Sequence, residues 1–142
     1  MPDIHHSIAI DASADAVRAL VSSADGLRQW WAEDAELQSD GALSLGFFNR
    51  NTVYRLRALD RSASRIAWRV ETGKEWEGTD LVFTIQPQTK GVVLDFVHAN
   101  WREATPYFVS CTTTWGGLMF RIRSAAEGHP AGPLFQKNSL AY

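Results

Sequence analysis

Apolar residues recur at every second position in six successive segments between Ala35 and Trp101, and only short turns separate these segments. Such alternation is typical of half-buried β-strands, because successive side chains of a strand point to opposite faces of the sheet. Strands joined by connections this short pair antiparallel, since parallel pairing requires a long crossover. Asp40-Gly41 is typical of a tight hairpin turn between the first two strands. The sequence therefore predicts an antiparallel meander over residues 35–39, 43–48, 52–59, 65–71, 79–86 and 92–98.

The segment before this meander predicts one strand and two short helices. Residues 4–10 alternate between apolar and polar side chains, which indicates a further strand. Ser13 is a favourable N-cap for a short helix that ends near Val21. Asp25 opens a second short helix, which carries Leu27, Trp30 and Trp31 on roughly one side.

The segment after the meander predicts one long helix. Beyond Pro106 the apolar residues repeat every three to four positions, which indicates a helix over residues 107–127, and Gly128 and Pro130 end it. Its apolar stripe needs a partner, and the apolar face of the sheet is the one available. We therefore expect an α+β fold, in which a curved antiparallel sheet of six to seven strands wraps around a long C-terminal helix. The two short helices after the first strand close one end.

The composition restricts the classes of partner. The 142 residues include 14 basic and 16 acidic side chains, a formal charge of −2, whereas nucleic-acid-binding proteins usually carry a basic surplus. No signal-peptide pattern and no run of about 18 apolar residues occurs. We expect a cytoplasmic protein with no nucleic-acid or membrane partner. It is predicted to be a single domain over residues 1–142, with a core at about 4–128 and a C-terminal tail at 129–142, where Leu134, Phe135, Leu140 and Tyr142 could pack back.

Aromatic residues suggest where a function lies. The chain has six tryptophans, seven phenylalanines and three tyrosines, more than a compact two-layer core needs. Two interpretations stay open: the rings fill the interior, or the curved sheet and the helix leave an apolar cavity that the rings line. In the second case, polar groups orient a ligand, and the candidates are His98, Tyr54, Arg121 and residues 112–114.

A series of short motifs occurs in a specific order over residues 8–130. They are Ala12-Ser13-Ala14-Asp15-Ala16-Val17, Leu27 with Trp30-Trp31, Ile66 with Trp68, Trp76-Glu77-Gly78-Thr79, Leu81 with Phe83, Ile85 and Pro87, then His98, and finally Trp115 with Ile122, Glu127-Gly128 and Pro130. This order resembles the START- and birch-pollen-allergen-like (SRPBCC) superfamily, which includes polyketide cyclases. Within it, the chain is most similar to small bacterial-type members of the family named after the activator of the heat-shock-protein-90 ATPase.

The resemblance implies a helix-grip fold and favours the cavity interpretation. The partner it implies is a small apolar or aromatic molecule, such as a lipid, a polyketide or a flavonoid-like compound. Gly116-Gly117 and Arg121 replace residues that are larger or more neutral in the family, so we expect the cavity mouth to differ. The small glycines beside Trp115 are expected to widen the cavity.

The histidines and the cysteine give weaker evidence of a function than the aromatic residues do. His5 and His6 are neighbours on a strand and point to opposite faces, so they cannot chelate one metal ion together. Cys111 is the only cysteine and lies on the apolar stripe of the long helix, which indicates a buried, inert side chain. His98 lies on the same inward-facing side of the last strand as the apolar residues before it. It is either a neutral histidine of the core or a polar group that anchors a ligand. The sequence predicts no catalytic residue, metal or cofactor.

The leading hypothesis is a protein that binds a small hydrophobic molecule between the sheet and the long helix. Two alternatives stay open: a cyclase- or hydrolase-like enzyme that uses His98 as acid or base, and a protein-interaction module linked to a chaperone. The predicted ligand-binding residues are Trp31, Phe47, Trp68, Phe83, Phe96, His98, Trp115 and Met119.

Overall fold

A computed structural model describes residues 2–137, and this part of the chain contains seven strands and three helices. All neighbouring strands pair antiparallel in the order β1-β7-β6-β5-β4-β3-β2, so the meander is unbroken from the second strand to the seventh. The predicted α+β helix-grip architecture is confirmed. Its elements are β1 (Ile4–Ile10), α1 (Ala14–Val21), α2 (Ala24–Leu27), β2 (Asp34–Leu37), β3 (Leu43–Phe47), β4 (Thr52–Arg61), β5 (Arg65–Thr72), β6 (Asp80–Pro87), β7 (Val92–Ala99) and α3 (Pro106–Ala126).

Side-chain caps fix where each helix begins. Ser13 Oγ accepts the N–H of Ala16 at the start of α1, at 3.1 Å. Thr105 Oγ1 accepts the N–H of Phe108 at the start of α3, at 3.2 Å, and Pro106 occupies the first turn. Both contacts satisfy N–H groups that have no partner inside the helix. The helix predicted over residues 107–127 thus begins one residue earlier and ends one residue earlier. The second short helix was predicted to carry Trp30 and Trp31, but α2 ends at Leu27, and both tryptophans lie in the turn that follows.

The core lies between α3 and the concave face of the sheet. The buried face of α3 consists of residues three and four positions apart, including Cys111, Trp115 and Ile122. Alternate residues of β6 and β7 face it, among them Phe83 and Phe96. Register shifts interrupt the pairing of β4 with β5 at two places, and such irregularities bend a strand. The sheet can therefore curve around the helix.

The turn between β3 and β4 has an unusual backbone. Phe48, Asn49 and Arg50 all have left-handed φ angles, of 55°, 53° and 66°. This conformation is unfavourable for residues other than glycine, so neighbouring contacts must hold it. Arg50 supplies them, because its guanidinium donates to Asp34 Oδ2 at 2.6 Å and to Ser44 Oγ at 3.1 Å.

A C-terminal segment, residues 133–137, packs back on the domain. Phe135 N donates to Trp31 O at 2.9 Å, and Glu33 N donates to Phe135 O at 2.9 Å, which forms a single parallel bridge beyond α2. The Phe135 side chain is 6% exposed, and Leu134 is partly buried. The predicted packing of Leu134 and Phe135 therefore agrees with the structure, whereas Leu140 and Tyr142 lie outside the described residues. Within residues 2–137, no helix combines the length and apolarity that a membrane span requires.

Candidate ligand-binding site

An apolar cavity of about 60 Å³ lies between the N-terminal half of α3 and one end of the sheet. Four structural units form its walls: the chain after α2, the β3–β4 hairpin, the β5–β6 loop and α3, and the C-terminal segment closes it. The half-buried residues Phe48, Tyr107 and Thr114 form its solvent side. The lining residues are Trp31, Phe47, Phe48, Thr52, Tyr54, Trp76, Tyr107, Cys111, Thr114, Trp115, Leu118 and Phe135.

Trp76 and Tyr54 form the wall at the sheet side. Their rings stack in parallel, with centroids 4.2 Å apart and planes inclined by 6°. Gly73 makes this arrangement possible, because a Cβ at that position would lie 2.0 Å from Tyr54 Cδ1, and its φ of +130° disfavours other residues. A glycine in the β5–β6 loop thus leaves the space in which Tyr54 lies.

The polar groups of the cavity are uncharged. The hydroxyls of Tyr54 and Tyr107 form a hydrogen bond, and the hydroxyl of Thr114 and the thiol of Cys111 also lie in the wall. Burial raises the pKa of the Cys111 thiol to about 11, and burial likewise raises the pKa of Tyr54. Glu75 adds to both pKa increases through its negative charge. Both groups are therefore protonated at neutral pH.

Trp76 is 95% buried, and its indole N–H meets no nitrogen or oxygen acceptor among the described residues. Its partner is the Cys111 sulfur, because a side-chain hydrogen bond from Trp76 lowers the pKa of that thiol and so partly offsets the effect of burial. Sulfur is a weak acceptor. The Trp76 indole thus connects the β5–β6 loop to α3 at the cavity wall.

His98 lies behind the cavity wall, at the centre of a chain of hydrogen bonds. Trp115 Nε1–H donates to His98 Nδ1 at 3.1 Å, so Nδ1 is the acceptor and the ring hydrogen is on Nε2. His98 Nε2–H donates to Thr79 Oγ1 at 2.8 Å, and Thr79 Oγ1–H donates to Trp76 O at 2.5 Å. Burial lowers the pKa of His98 to about 3. The imidazole is therefore neutral, and both of its nitrogens are occupied.

The structure brings three of the eight predicted ligand-binding residues to the cavity: Trp31, Phe47 and Trp115. Phe83 and Phe96 do converge on Trp115, as expected, but the rings are in contact, with the Phe96 and Trp115 centroids 4.1 Å apart. Packing thus fills the space that was expected to be empty there.

The other predicted positions also lie away from the cavity. His98 belongs to the network just described, and Met119 is buried in the core. Trp68 donates its indole N–H to Val21 O at 3.0 Å, beside α1. Among the predicted polar groups, Tyr54 and Thr114 line the cavity, whereas Arg121 donates to Gly132 O at 2.7 Å.

The expectation that Gly116 and Gly117 widen the cavity is wrong. A Cβ on Gly116 would meet His6 Cε1 at 3.6 Å, and a Cβ on Gly117 would have no neighbour within 4 Å. Both glycines lie outside the lining of the cavity, because the residues that reach it occupy the stripe of Cys111, Trp115 and Leu118. Gly116 instead faces β1, where the His6 ring contacts Thr112 O at 3.1 Å.

Several lining residues were not predicted, and Trp76 is the most important of them. The sequence did contain a signal for Trp76, because a tryptophan within the charged stretch Lys74-Glu75-Trp76-Glu77 indicates a side chain that packs against the core. Phe48 and Phe135 offered no such signal, since they reach the cavity through an unusual turn and a distant backbone bridge. Within residues 2–137, no group of three or more His, Cys, Asp or Glu side chains is arranged to hold a metal ion.

The sequence matches no protein-family model and no curated protein. Its fold, however, is that of several solved structures. The Aha1 dimer from Colwellia psychrerythraea is 22% identical, with a TM-score of 0.80 over 91% of this chain and 98% of that one. CalU16 from Micromonospora echinospora is 15% identical, with a TM-score of 0.73 over 93% and 69% of the two chains. DynU16, from the dynemicin biosynthetic locus, is 12% identical, with a TM-score of 0.71 over 92% and 49%. The chain thus has a helix-grip fold like that of Aha1.

Proposed function

We propose that the protein binds a small, mainly apolar molecule in the cavity between the sheet and α3. The observation that carries this proposal is an uncharged, aromatic-lined space next to a core that is elsewhere filled by side chains. Ligand sites are typically apolar pockets with few polar groups, and this cavity has that composition. The likeness to DynU16 supports the proposal, since that protein comes from the dynemicin biosynthetic locus.

The size of the cavity limits the ligand. Its volume of about 60 Å³ is smaller than the roughly 150 Å³ that holds a benzene molecule in an engineered cavity. A ligand of the size of benzene or larger, including a lipid-, polyketide- or flavonoid-like molecule, therefore requires the solvent side to open, through Phe48 or through the C-terminal segment. A probe that buries about 150 Å² gains roughly 4 kcal/mol before association costs, so small probes should bind weakly.

Binding fits the site better than catalysis does. His98 is the one buried histidine among the described residues, and its nitrogens are both engaged within the protein. A general acid or base must reach a substrate proton, which His98 cannot do without breaking this network. The Cys111 thiol is protonated at neutral pH and hence a poor nucleophile.

A cavity-filling variant tests the proposal. Cys111→Leu replaces the sulfur with three carbons, a net gain of two non-hydrogen atoms in the cavity, and we expect it to weaken benzene binding at least tenfold while the protein stays folded. Thr113→Leu is the matched control, because Thr113 is an exposed α3 residue outside the lining. The measurement is an NMR titration that follows the indole N–H resonances of the six tryptophans.

Two results would count against the proposal. The first is a wild-type protein whose indole resonances show no saturable response to benzene. The second is Cys111→Leu and Thr113→Leu proteins that both bind benzene as the wild type does, since the probe would then bind outside this cavity.

A further inference from the structure

The β3–β4 turn keeps an unfavourable backbone conformation next to the solvent side of the cavity. Phe48, Asn49 and Arg50 are three consecutive residues with left-handed φ angles, of 55°, 53° and 66°. Asparagine tolerates this conformation, but phenylalanine and arginine adopt it only where other contacts compensate for its cost. Without such contacts the turn would relax, and Phe48 would leave its place in the cavity lining.

The compensating contacts come from an ion pair between the turn and the edge strand β2. The Arg50 guanidinium donates to Asp34 Oδ2 at 2.6 Å and to Ser44 Oγ at 3.1 Å. Gly46 pairs with Asp34 across β2 and β3. It leaves the space for the ion pair, because a Cβ there would collide with Asp34 Oδ2 and lie 2.8 Å from Arg50 Nη1. The ion pair thus fixes the turn to the edge of the sheet.

The C-terminal segment is attached at both ends of this ion pair. At the turn, the Phe135 ring packs edge-on against Phe48, with centroids 5.8 Å apart. At the edge strand, Glu33 directly precedes Asp34 in the chain. The N–H of Glu33 donates to Phe135 O at 2.9 Å, and its Oε1 accepts from the N–H of Lys137 at 2.8 Å. Loss of the ion pair would therefore disturb both attachments.

We propose that the Asp34–Arg50 ion pair keeps the C-terminal segment closed over the cavity by holding the β3–β4 turn in its left-handed conformation. When the ion pair breaks, the turn relaxes, Phe48 moves away from Phe135 and the segment is released. The consequence for ligands rests on the proposed function. The closed cavity, of about 60 Å³, is too small for benzene, so benzene binds the open form. Its apparent affinity then rises in proportion to the open fraction.

Amide hydrogen exchange measures the release of the segment without any ligand. The N–H groups of Glu33, Leu134 and Phe135 form backbone hydrogen bonds that hold it in place. In Arg50→Gln these three amides should exchange about fivefold faster, because an ion pair and a neutral hydrogen bond are lost from the closed form. The amides that pair β6 with β7 should keep their rates.

A matched control is available at the β4–β5 turn. Arg65 forms an ion pair with Asp60 at 3.0 Å, its side chain is about as exposed as that of Arg50, and neither partner lines the cavity. Arg65→Gln should therefore leave the exchange of the three amides unchanged.

Two further variants separate the ion pair from the turn. Asp34→Asn should accelerate the same amides as Arg50→Gln, and the double variant should be no faster than the faster single variant, because both remove one shared interaction. Asn49→Ala leaves the ion pair in place but raises the cost of the left-handed turn, since alanine tolerates this conformation less well than asparagine. It should accelerate these amides too.

A benzene titration relates the release of the segment to access. In each variant the gain in benzene affinity should match the gain in exchange rate to within about twofold, because both are proportional to the open fraction. Faster exchange without tighter benzene binding would contradict the control of access.

The remaining outcomes separate this inference from the proposed function. Wild-type exchange rates in both Arg50→Gln and Asp34→Asn would contradict it, because the ion pair would then not hold the segment. Acceleration that extends to the β6–β7 amides would also contradict it, since it indicates a general loss of stability. Unchanged exchange in Asn49→Ala would contradict the role of the turn. If benzene binds to none of the proteins, the proposed function fails, and the exchange rates still decide whether the ion pair holds the segment.

Discussion

At the scale of single residues, the interior depends on the protonation of His98. The side chain is fully buried, and its neutral form both accepts from Trp115 and donates to Thr79. A protonated ring would lose the bond from Trp115, because Nδ1 would carry a hydrogen. Neutral His98 therefore connects α3 to β7 and to the loop that holds Trp76, whereas protonated His98 would keep only the bond to Thr79.

This network predicts a pH dependence of stability. Burial lowers the pKa of His98 to about 3 in the folded protein, compared with 6.5 for a free histidine. The unfolded chain thus binds more protons between these values, so the contribution of His98 to stability is complete above pH 6.5 and decreases as the pH falls toward 3. Between pH 6.5 and 4.5 we expect a loss of about 2 kcal/mol.

Urea unfolding at several pH values measures this loss. His98→Gln should be less stable than the wild type at pH 7, but its stability should change less between pH 6.5 and 4.5. His5→Gln is the control, since His5 is exposed, and it should follow the wild type. Equal pH dependence in His98→Gln and in the wild type would show that a different group titrates.

At the scale of elements, the C-terminal segment is a part of the cavity wall that belongs to neither the sheet nor a helix. Its backbone donates from Leu134 to Trp30 O at 3.2 Å and from Phe135 to Trp31 O at 2.9 Å. The Phe135 ring packs edge-on against Phe47 and Phe48, at 5.0 and 5.8 Å. Glu33 N also donates to Phe135 O, and Lys137 N donates to Glu33 Oε1. Releasing the segment breaks these bonds but no pairing between strands, so it is the part that we expect to open.

Removing the ring of Phe135 should therefore increase access to the cavity. In Phe135→Ala we expect benzene to bind more tightly than in the wild type, and stability to fall by about 1–3 kcal/mol, less than for a fully enclosed phenylalanine. NMR titration and urea unfolding measure the two effects. Gln136→Ala changes an exposed neighbour and should alter neither. Unchanged or weaker binding in Phe135→Ala would mean that access does not pass through this segment.

The elements themselves were largely predictable from the sequence, because each rests on a local pattern. Alternation located every strand to within a few residues, and the 3.6-residue period with Pro106 and Gly128 located α3. The bridge of Phe135 to Trp31 was not predictable in the same way. It joins residues far apart in the chain by backbone hydrogen bonds. Such bonds produce no periodic pattern of apolar side chains in the sequence.

At the scale of the whole molecule, the location of the cavity depends on which parts of the interior the aromatic side chains fill. Phe83, Phe96 and Trp115 fill the space beside His98, and the empty space remains toward Tyr54, Trp76 and the start of α3. The sequence predicted that these rings face inward, since alternation and helical period decide that. It did not locate the cavity, because an empty space depends on the side-chain orientations of several elements together.

Diffraction from crystals pressurised with xenon shows whether this space binds apolar molecules. Xenon is apolar and small, and it enters cavities lined by apolar side chains. We predict a strong xenon peak among Trp31, Trp76 and Cys111, which disappears in Cys111→Leu crystals and persists in Thr113→Leu crystals. Density that shows side chains filling this space, or xenon that binds elsewhere and not here, would contradict the account.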